Sequence, residues 1–336
     1  MYKMICLVVI AGYLLLSCTK NETTVLQQTN FIPDSLKGKW VLSNLDSTIN
    51  FHDVQVINKR IVYMGDNLGR VWKTTDGGAN WLKLIIPTGN ISAIHFLDSL
   101  VGFVICGSQV SITEDGGASW RNVVVQQYGA GAPNDVFFIN RLVGFTSFVS
   151  AGYQSGALFK TINGGITWQQ KSGNRPYDMF FVSPQRGWYT NYDGQLYQTN
   201  DGGETWAITA AGSGNNNLHP KNHGLHASDT GNVITGNGGG LFHRNTNDGS
   251  LVFTPYFPPP GDPYLFATSC YMLSKTTGYY ISGNQFIYKF NFANAAAPVK
   301  FDTAYQNYPF WNAMSFYDST FGIICGDFGK IAIMQQ

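Results

Sequence analysis

Thr74-Thr75-Asp76-Gly77-Gly78-Ala79-Asn80-Trp81 recurs three more times without a gap. The other copies are Thr113-Glu114-Asp115-Gly116-Gly117-Ala118-Ser119-Trp120, Thr161-Ile162-Asn163-Gly164-Gly165-Ile166-Thr167-Trp168 and Thr199-Asn200-Asp201-Gly202-Gly203-Glu204-Thr205-Trp206. A fifth, Thr246-Asn247-Asp248-Gly249-Ser250-Leu251-Val252-Phe253, is eroded and has Phe253 in place of the tryptophan. The steps from Asp76 to Asp115, Asn163, Asp201 and Asp248 are 39, 48, 38 and 47 residues. A period near 40 fits one four-stranded propeller blade, and the longer steps need only a longer loop. The chemistry of the octapeptide predicts a hairpin turn. Gly-Gly tolerates positive φ, the Asp or Asn oxygen accepts hydrogen bonds from turn N–H groups, and the tryptophan packs back onto the blade.

Outward from each turn the same order of strands can be traced. An apolar strand, a glycine, a second strand, a turn and a third strand precede each copy, as in Ile91–Phe96 and Val101–Ile105, or Asp178–Val182, Arg186–Tyr189 and Gln195–Thr199. Two further units, Phe266–Phe292 and Ala313–Met334, have the strands without the octapeptide. The second stops where a fourth strand is due. Gly38-Lys39-Trp40-Val41-Leu42-Ser43 reads as that strand, with Trp40 in the place of Trp81 or Trp206. The expected fold is therefore an all-β, seven-bladed β-propeller whose last blade is closed by residues 38–45, which removes the edge between first and last blades. The expected blades are roughly 51–87, 91–126, 133–172, 176–210, 218–257, 264–304, and 309–336 with 38–45.

The first residues read as an export signal. Lys3 is followed by an apolar run from Met4 to Leu16, 13 residues, too short to span a bilayer. The run ends in Leu15-Leu16-Ser17-Cys18, which resembles a bacterial lipobox and makes Cys18 the expected lipidation site. The expected organisation is a signal over 1–18, a flexible tether over 19–35 and one propeller over 36–336. Beyond the signal only Cys106, Cys270 and Cys325 remain, spaced as neither a disulfide framework nor a zinc site. They read as small buried strand residues. Charged residues make up 12% of the chain, its net charge is +1, and no nucleic-acid partner is expected.

The octapeptide resembles the Asp-box, or bacterial neuraminidase repeat, and the ring of repeats resembles the photosystem II stability/assembly factor family. That resemblance implies structural roles for Asp76, Trp81, Asp115, Trp120, Asn163, Trp168, Asp201, Trp206 and Asp248, on the side of the propeller away from the usual binding face. Two enzyme families share the repeat. Sialidases need an arginine triad, yet Phe31-Ile32-Pro33 lacks the arginine of the usual Arg-Ile-Pro segment. Xyloglucanase-type glycosidases use paired acids between two propellers, and one propeller fits here. Asp66, Asp193 and Asp327 are the acids to test for that alternative.

The expected function is non-catalytic binding or assembly in the cell envelope, with no cofactor and with a protein or glycan partner. Loops joining blades and loops between second and third strands share one face. Its candidate binding residues are Tyr128, Arg175, Tyr177, Tyr256, Tyr264, Tyr308 and Trp311, aromatic or cationic groups able to bind sugars or peptides; the alternative is that they only pack loops onto blades. His219, His223 and His226 form the one metal candidate. The alternative is a polar loop, since Pro220 and Gly224 oppose the helix that would align them.

Overall fold

Short runs of β-branched and aromatic residues punctuated by glycine favour strands and tight turns. The structure is a computed structural model. It describes residues 22–26, 40–86, 89–125, 131–150, 155–210, 224–228, 233–237, 240–244, 251–255, 267–283, 286–292, 299–301 and 310–335. Apart from a single 3-10 turn at Asp327–Gly329, every described element is a strand. No helix among the described residues is long and apolar enough to cross a membrane.

The described strands pair antiparallel into seven sheets. The first contains Phe51–Val56, Val62–Asp66, Arg70–Thr74 and Asn80–Ile85. The second contains Ile91–Phe96, Gly102–Cys106, Gln109–Thr113 and Arg121–Val124. The third begins with Gly131–Phe138, the fourth with Pro176–Phe181, the fifth with Leu225–Ala227, the sixth with Ala267–Met272 and the seventh with Trp311–Asp318. Each first strand touches the first strands of the sheets before and after it, and the last touches the first. These strands therefore line a central channel, and the later strands of each sheet lie further out. The chain is an all-β propeller.

The ring is closed by pairing between the two ends of the chain. Trp40–Asn44 lies antiparallel to Lys330–Gln335, with Trp40 opposite Met334 and Asn44 opposite Lys330. Trp40 meets Tyr279 and Phe316 edge-on, with ring centroids 6.2 and 6.0 Å apart. Trp206 meets Phe145 and Phe181 in the same way at 6.4 and 5.9 Å. The equivalence of Trp40 with the octapeptide tryptophans, read from sequence, holds in this contact. Residues 22–26 differ from the expected tether. Glu22–Leu26 is a fifth strand on the outer side of the first sheet, paired with Asn80–Ile85. An outermost strand has one row of unpaired N–H and C=O groups, and Thr-Thr-Val has the β-propensity to occupy it.

The core lies between sheets. A ring on the second strand of one sheet stacks on a ring ending the first strand of the next: Tyr63 on Phe96, Phe103 on Phe138, Phe145 on Phe181, and Tyr279 on Phe316. In four of the sheets a glycine at or next to the start of the second strand makes room for a ring of its own sheet. A Cβ on Gly102 would lie 2.2 Å from the Phe96 ring, and Gly144, Gly187 and Gly322 stand likewise against Phe138, Phe181 and Phe316. Cys106, Cys270 and Cys325 are buried free thiols, as expected, and burial pushes the Cys325 thiol well up.

The ring closure has a direct test. Deleting residues 31–45 should lower the melting temperature by roughly 10 °C or more, and Trp40→Ala should lower it by a smaller amount, since ~3–5 kcal/mol is the usual cost of truncating a buried aromatic. Unchanged thermal unfolding of the deletion would mean that the strand contributes nothing to closure.

Candidate functional site

The four complete octapeptides fold alike. Thr74 Oγ1 donates to Asp76 Oδ1 (2.8 Å) and accepts from Gly78 N (2.9 Å), while Asp76 Oδ1 also accepts from Asn80 N (2.9 Å). Thr113 with Asp115, Thr161 with Asn163 and Thr199 with Asp201 repeat this closure. Both glycines of each pair have positive φ. The second glycine also permits close approach to the preceding sheet: a Cβ on Gly78 would meet Ile333 Cδ1 at 2.4 Å, and on Gly203 the Phe145 ring at 2.4 Å. Lys73 and Lys160 donate from the preceding sheet to the carbonyls of Gly116 (3.0 Å) and Gly202 (2.7 Å). Each turn thus fastens one sheet to its neighbour. The tryptophans are less uniform than expected. Trp81 is fully buried, whereas Trp120, Trp168 and Trp206 are half-buried against their clusters. Asp248 lies outside the described residues.

On the other face, Arg175 has φ 51, unusual for a non-glycine residue. Its guanidinium pairs with Asp193 and lies over the Tyr192 ring, 5.5 Å from the centroid. Tyr177 and Trp311, expected on the binding face, are core residues instead, 6% and 1% exposed. Each sits at the entry of a first strand, where the chain has already turned into the ring, and Trp311 packs among Trp40, Tyr279 and Met314. Tyr128, Tyr256, Tyr264 and Tyr308 lie outside the described residues. The three acids are each engaged internally. Asp66 is fully buried and accepts from Leu68 N, Arg70 N, Arg70 Nε and Trp72 Nε1. Asp193 pairs with Arg175, and Asp327 accepts from Asn312 Nδ2 at 2.8 Å.

The central channel holds a cavity of about 260 Å³. Gln55, His95, Phe137, Phe180, His226, Tyr271 and Ser315 line it, one from each first strand, opposite Tyr63, Phe103, Phe145, Trp188, Ile234, Tyr279 and Ile323 of the second strands. From His95 to Tyr271 the rings are in successive contact, with centroids 4.3, 5.5, 4.5 and 3.9 Å apart. Several of these side chains also bond to the next sheet. Gln55 exchanges two bonds with the backbone of Phe96 (2.6 and 2.9 Å). His95 Nε2 donates to Phe138 O (2.9 Å), His226 Nδ1 accepts from Met272 N (3.2 Å), Tyr271 donates to Phe316 O (2.6 Å), and Ser315 Oγ accepts from Val56 N (3.0 Å). Burial, partly offset by the bond to Phe316, pushes the Tyr271 hydroxyl up to about 12.

Of the three candidate histidines, only His226 lies among the described residues. His226 lies on the strand Leu225–Ala227 between Phe180 and Tyr271, and His219 and His223 lie outside the described residues. Among the described residues no group of three or more His, Cys, Asp or Glu could hold a metal ion. Sequence reading missed the channel ring. Its signal was present in the register of the first strands, which align as Asp53-Val54-Gln55, Ala93-Ile94-His95, Asp135-Val136-Phe137 and Asp178-Met179-Phe180.

The fourth octapeptide gives a paired prediction. Hydrogen bonds from the Thr205 hydroxyl and N–H hold the Asp201 carboxyl well below its usual range, with Thr199 and the Glu204 N–H adding to them against weak burial. A carboxyl depressed in the folded state stabilises above its unfolded value of ~3.9, and that stability is lost as pH falls through the folded value. Asp201→Ala should cost about 1 kcal/mol at pH 7, and the difference from wild type should shrink below pH ~4. Trp206→Ala should cost about 2 kcal/mol, less than a fully buried aromatic, with no such pH dependence. Urea denaturation at both pH values checks each change; a constant Asp201→Ala difference would place the turn's stability elsewhere.

No family model matches the chain. A curated relative, the photosystem II assembly lipoprotein Ycf48 of Synechococcus sp. (strain CC9902), is 25% identical over 169 residues. The match covers 47% of this chain and 49% of the relative, so the chain spans about half the length of the curated relative it matches. Among solved structures, YCF48 bound to D1 peptide superposes with TM-score 0.68 at 14% identity, covering 89% of this chain and 96% of that one. A GH74 xyloglucanase from Xanthomonas campestris superposes with TM-score 0.65 at 12% identity, covering 87% of this chain and 53% of that one. The chain is a β-propeller similar to Ycf48, in sequence over about half its length and in fold over most of it.

Proposed function

We infer that the chain is a non-catalytic, lipid-anchored, seven-bladed propeller in the bacterial cell envelope, four of its blades carrying a complete Asp-box hairpin. It holds a segment of a partner protein on the face that bears Arg175. The observation that carries this reading is the fate of the three acids. Asp66, Asp193 and Asp327 are each engaged with neighbouring donors, so none is set up as half of a hydrolytic pair. The likeness to a xyloglucanase is one of fold, and fold alone does not bring its activity.

A protein partner is favoured by the solved YCF48 with its bound D1 peptide. Arg175, Asp193 and Tyr192 together offer a donor, an acceptor and a π face to a peptide. The anchor reading rests on Cys18 and is in keeping with the lipoprotein name of the curated relative. Nothing in the bulk charge favours nucleic acid.

Two measurements test the reading. Cys18→Ser should abolish palmitate labelling and move the protein into the soluble exported fraction, because two or more acyl chains hold a protein firmly whereas none holds it at all. Crosslinking in native membranes should capture a protein partner, and Arg175→Ala should reduce capture about tenfold while leaving thermal unfolding unchanged. Hydrolysis of xyloglucan by the purified protein would sink the non-catalytic reading.

A further inference from the structure

The chain enters the propeller beside an apolar patch that the fold does not require. Glu22 pairs with Leu84, so the chain arrives at the end of Asn80–Ile85 remote from the octapeptide turn. Ile85 stands at that end and is 45% exposed. Leu68, 56% exposed, occupies the turn between second and third strands of the first sheet, and Phe328, 50% exposed, occupies the equivalent turn of the seventh. Asn50 ties the two turns together. Its carbonyl accepts from Asn67 N (3.0 Å), and its Oδ1 accepts from Phe328 N (3.1 Å). Ile86 N donates to Gly69 O (2.9 Å), which brings the Ile85 end against the Leu68 turn.

Two details separate this patch from scattered surface apolar residues. Phe328 is held at φ 57, the left-handed region that bulky residues rarely enter, and its ring is half exposed there. Strain of this kind is found where surrounding structure enforces it, commonly at functional sites. The same turn is polar in two other sheets, with Ser108 in the second and Asp193 in the fourth. Two cations near the patch are already paired, Arg70 with Asp66 and Lys83 with Asp46.

We propose that Leu68, Ile85 and Phe328 form a membrane-contact patch that seats the rim of the first and seventh sheets in the headgroup–acyl boundary of a bilayer. The proposal rests on the reading of Cys18 as the lipidated residue. Residues 19–21 alone separate Cys18 from Glu22. At about 3.5 Å per residue, a lipid on Cys18 holds Glu22 within roughly 14 Å of the bilayer. The patch lies at the end of the first sheet where Glu22 enters, and burying aliphatic and aromatic tips at the interface is favourable. The propeller then stands on its rim, with the octapeptide turns pointing away from the lipid and the channel mouth bearing Arg175 inclined toward the membrane.

The test uses the mature acylated protein on phosphatidylethanolamine–phosphatidylglycerol vesicles. Bimane is attached through Leu68→Cys, Phe328→Cys or, as a control on the octapeptide side, Ile166→Cys, which replaces a residue that is 68% exposed. Nitroxide-labelled lipid should quench the first two labels several-fold more than the control. In Phe328→Asn/Leu68→Asn, asparagine tolerates the left-handed turn; a label introduced by Ile85→Cys should then fall to control quenching while thermal unfolding is unchanged. Equal background quenching at all three positions on protein that still floats with the vesicles would overturn the patch and leave the anchor intact, as would capture of an apolar protein surface by the patch. A mature protein that mass spectrometry finds unacylated would overturn the anchor and the patch with it.

Discussion

The first strand of every sheet has a partner on only one side, and the molecule depends on how its other side is satisfied. Backbone N–H and C=O groups that face the channel are removed from bulk water and need partners. A side chain from the preceding sheet supplies one at every junction. Asp53 accepts from Ile94 N (2.6 Å), Asp135 from Met179 N (2.9 Å) and Asp178 from Leu225 N (2.7 Å). His95, His226, Tyr271 and Ser315 serve the remaining four. These bonds set the rotation from one sheet to the next, and only a consistent rotation brings the seventh sheet back to the first.

This constraint explains the composition of the channel. Where an aspartate makes the junction, as after the third and fourth sheets, the channel position itself is released to Phe137 and Phe180. Where no aspartate is present, a polar channel residue makes the bond. His95 donates and His226 accepts, so the two imidazoles are used with opposite polarity. The aspartates sit directly after β-bulges between Phe51 and Asp53, Pro133 and Asp135, and Pro176 and Asp178. A bulge re-aims a side chain while increasing twist, and here it aims a carboxylate at the next sheet.

The repeat in the sequence made the propeller, its turns and the closing strand legible, because each is written locally. Thr, Asp or Asn, Gly-Gly and Trp carry the turn in eight residues, and Trp40 announces its own role by matching Trp206. The channel was not legible in the same way. Gln55, His95 and Ser315 share no residue type; only the register of seven strands makes them equivalent. Tyr177 and Trp311 misled for a related reason. Each follows a loop in sequence and was read as loop, yet the turn into the first strand is complete by that point and both side chains are buried. Residues 22–26 misled because an added outer strand needs only backbone pairing, which leaves little pattern in five residues.

Pairing of Trp40–Asn44 with Lys330–Gln335 also fixes an order of events. The strand that completes the last sheet is made early and must wait for nearly the whole chain. A contact of that sequence separation is slow to form, since a long loop has to close before the pairing gives any return. A chain emerging N-terminus first from its synthesis cannot lock its ring while its C-terminal strand is still unmade. Such a topology keeps the ring open until the last strand has been made, and makes closure a signal that the entire chain is present.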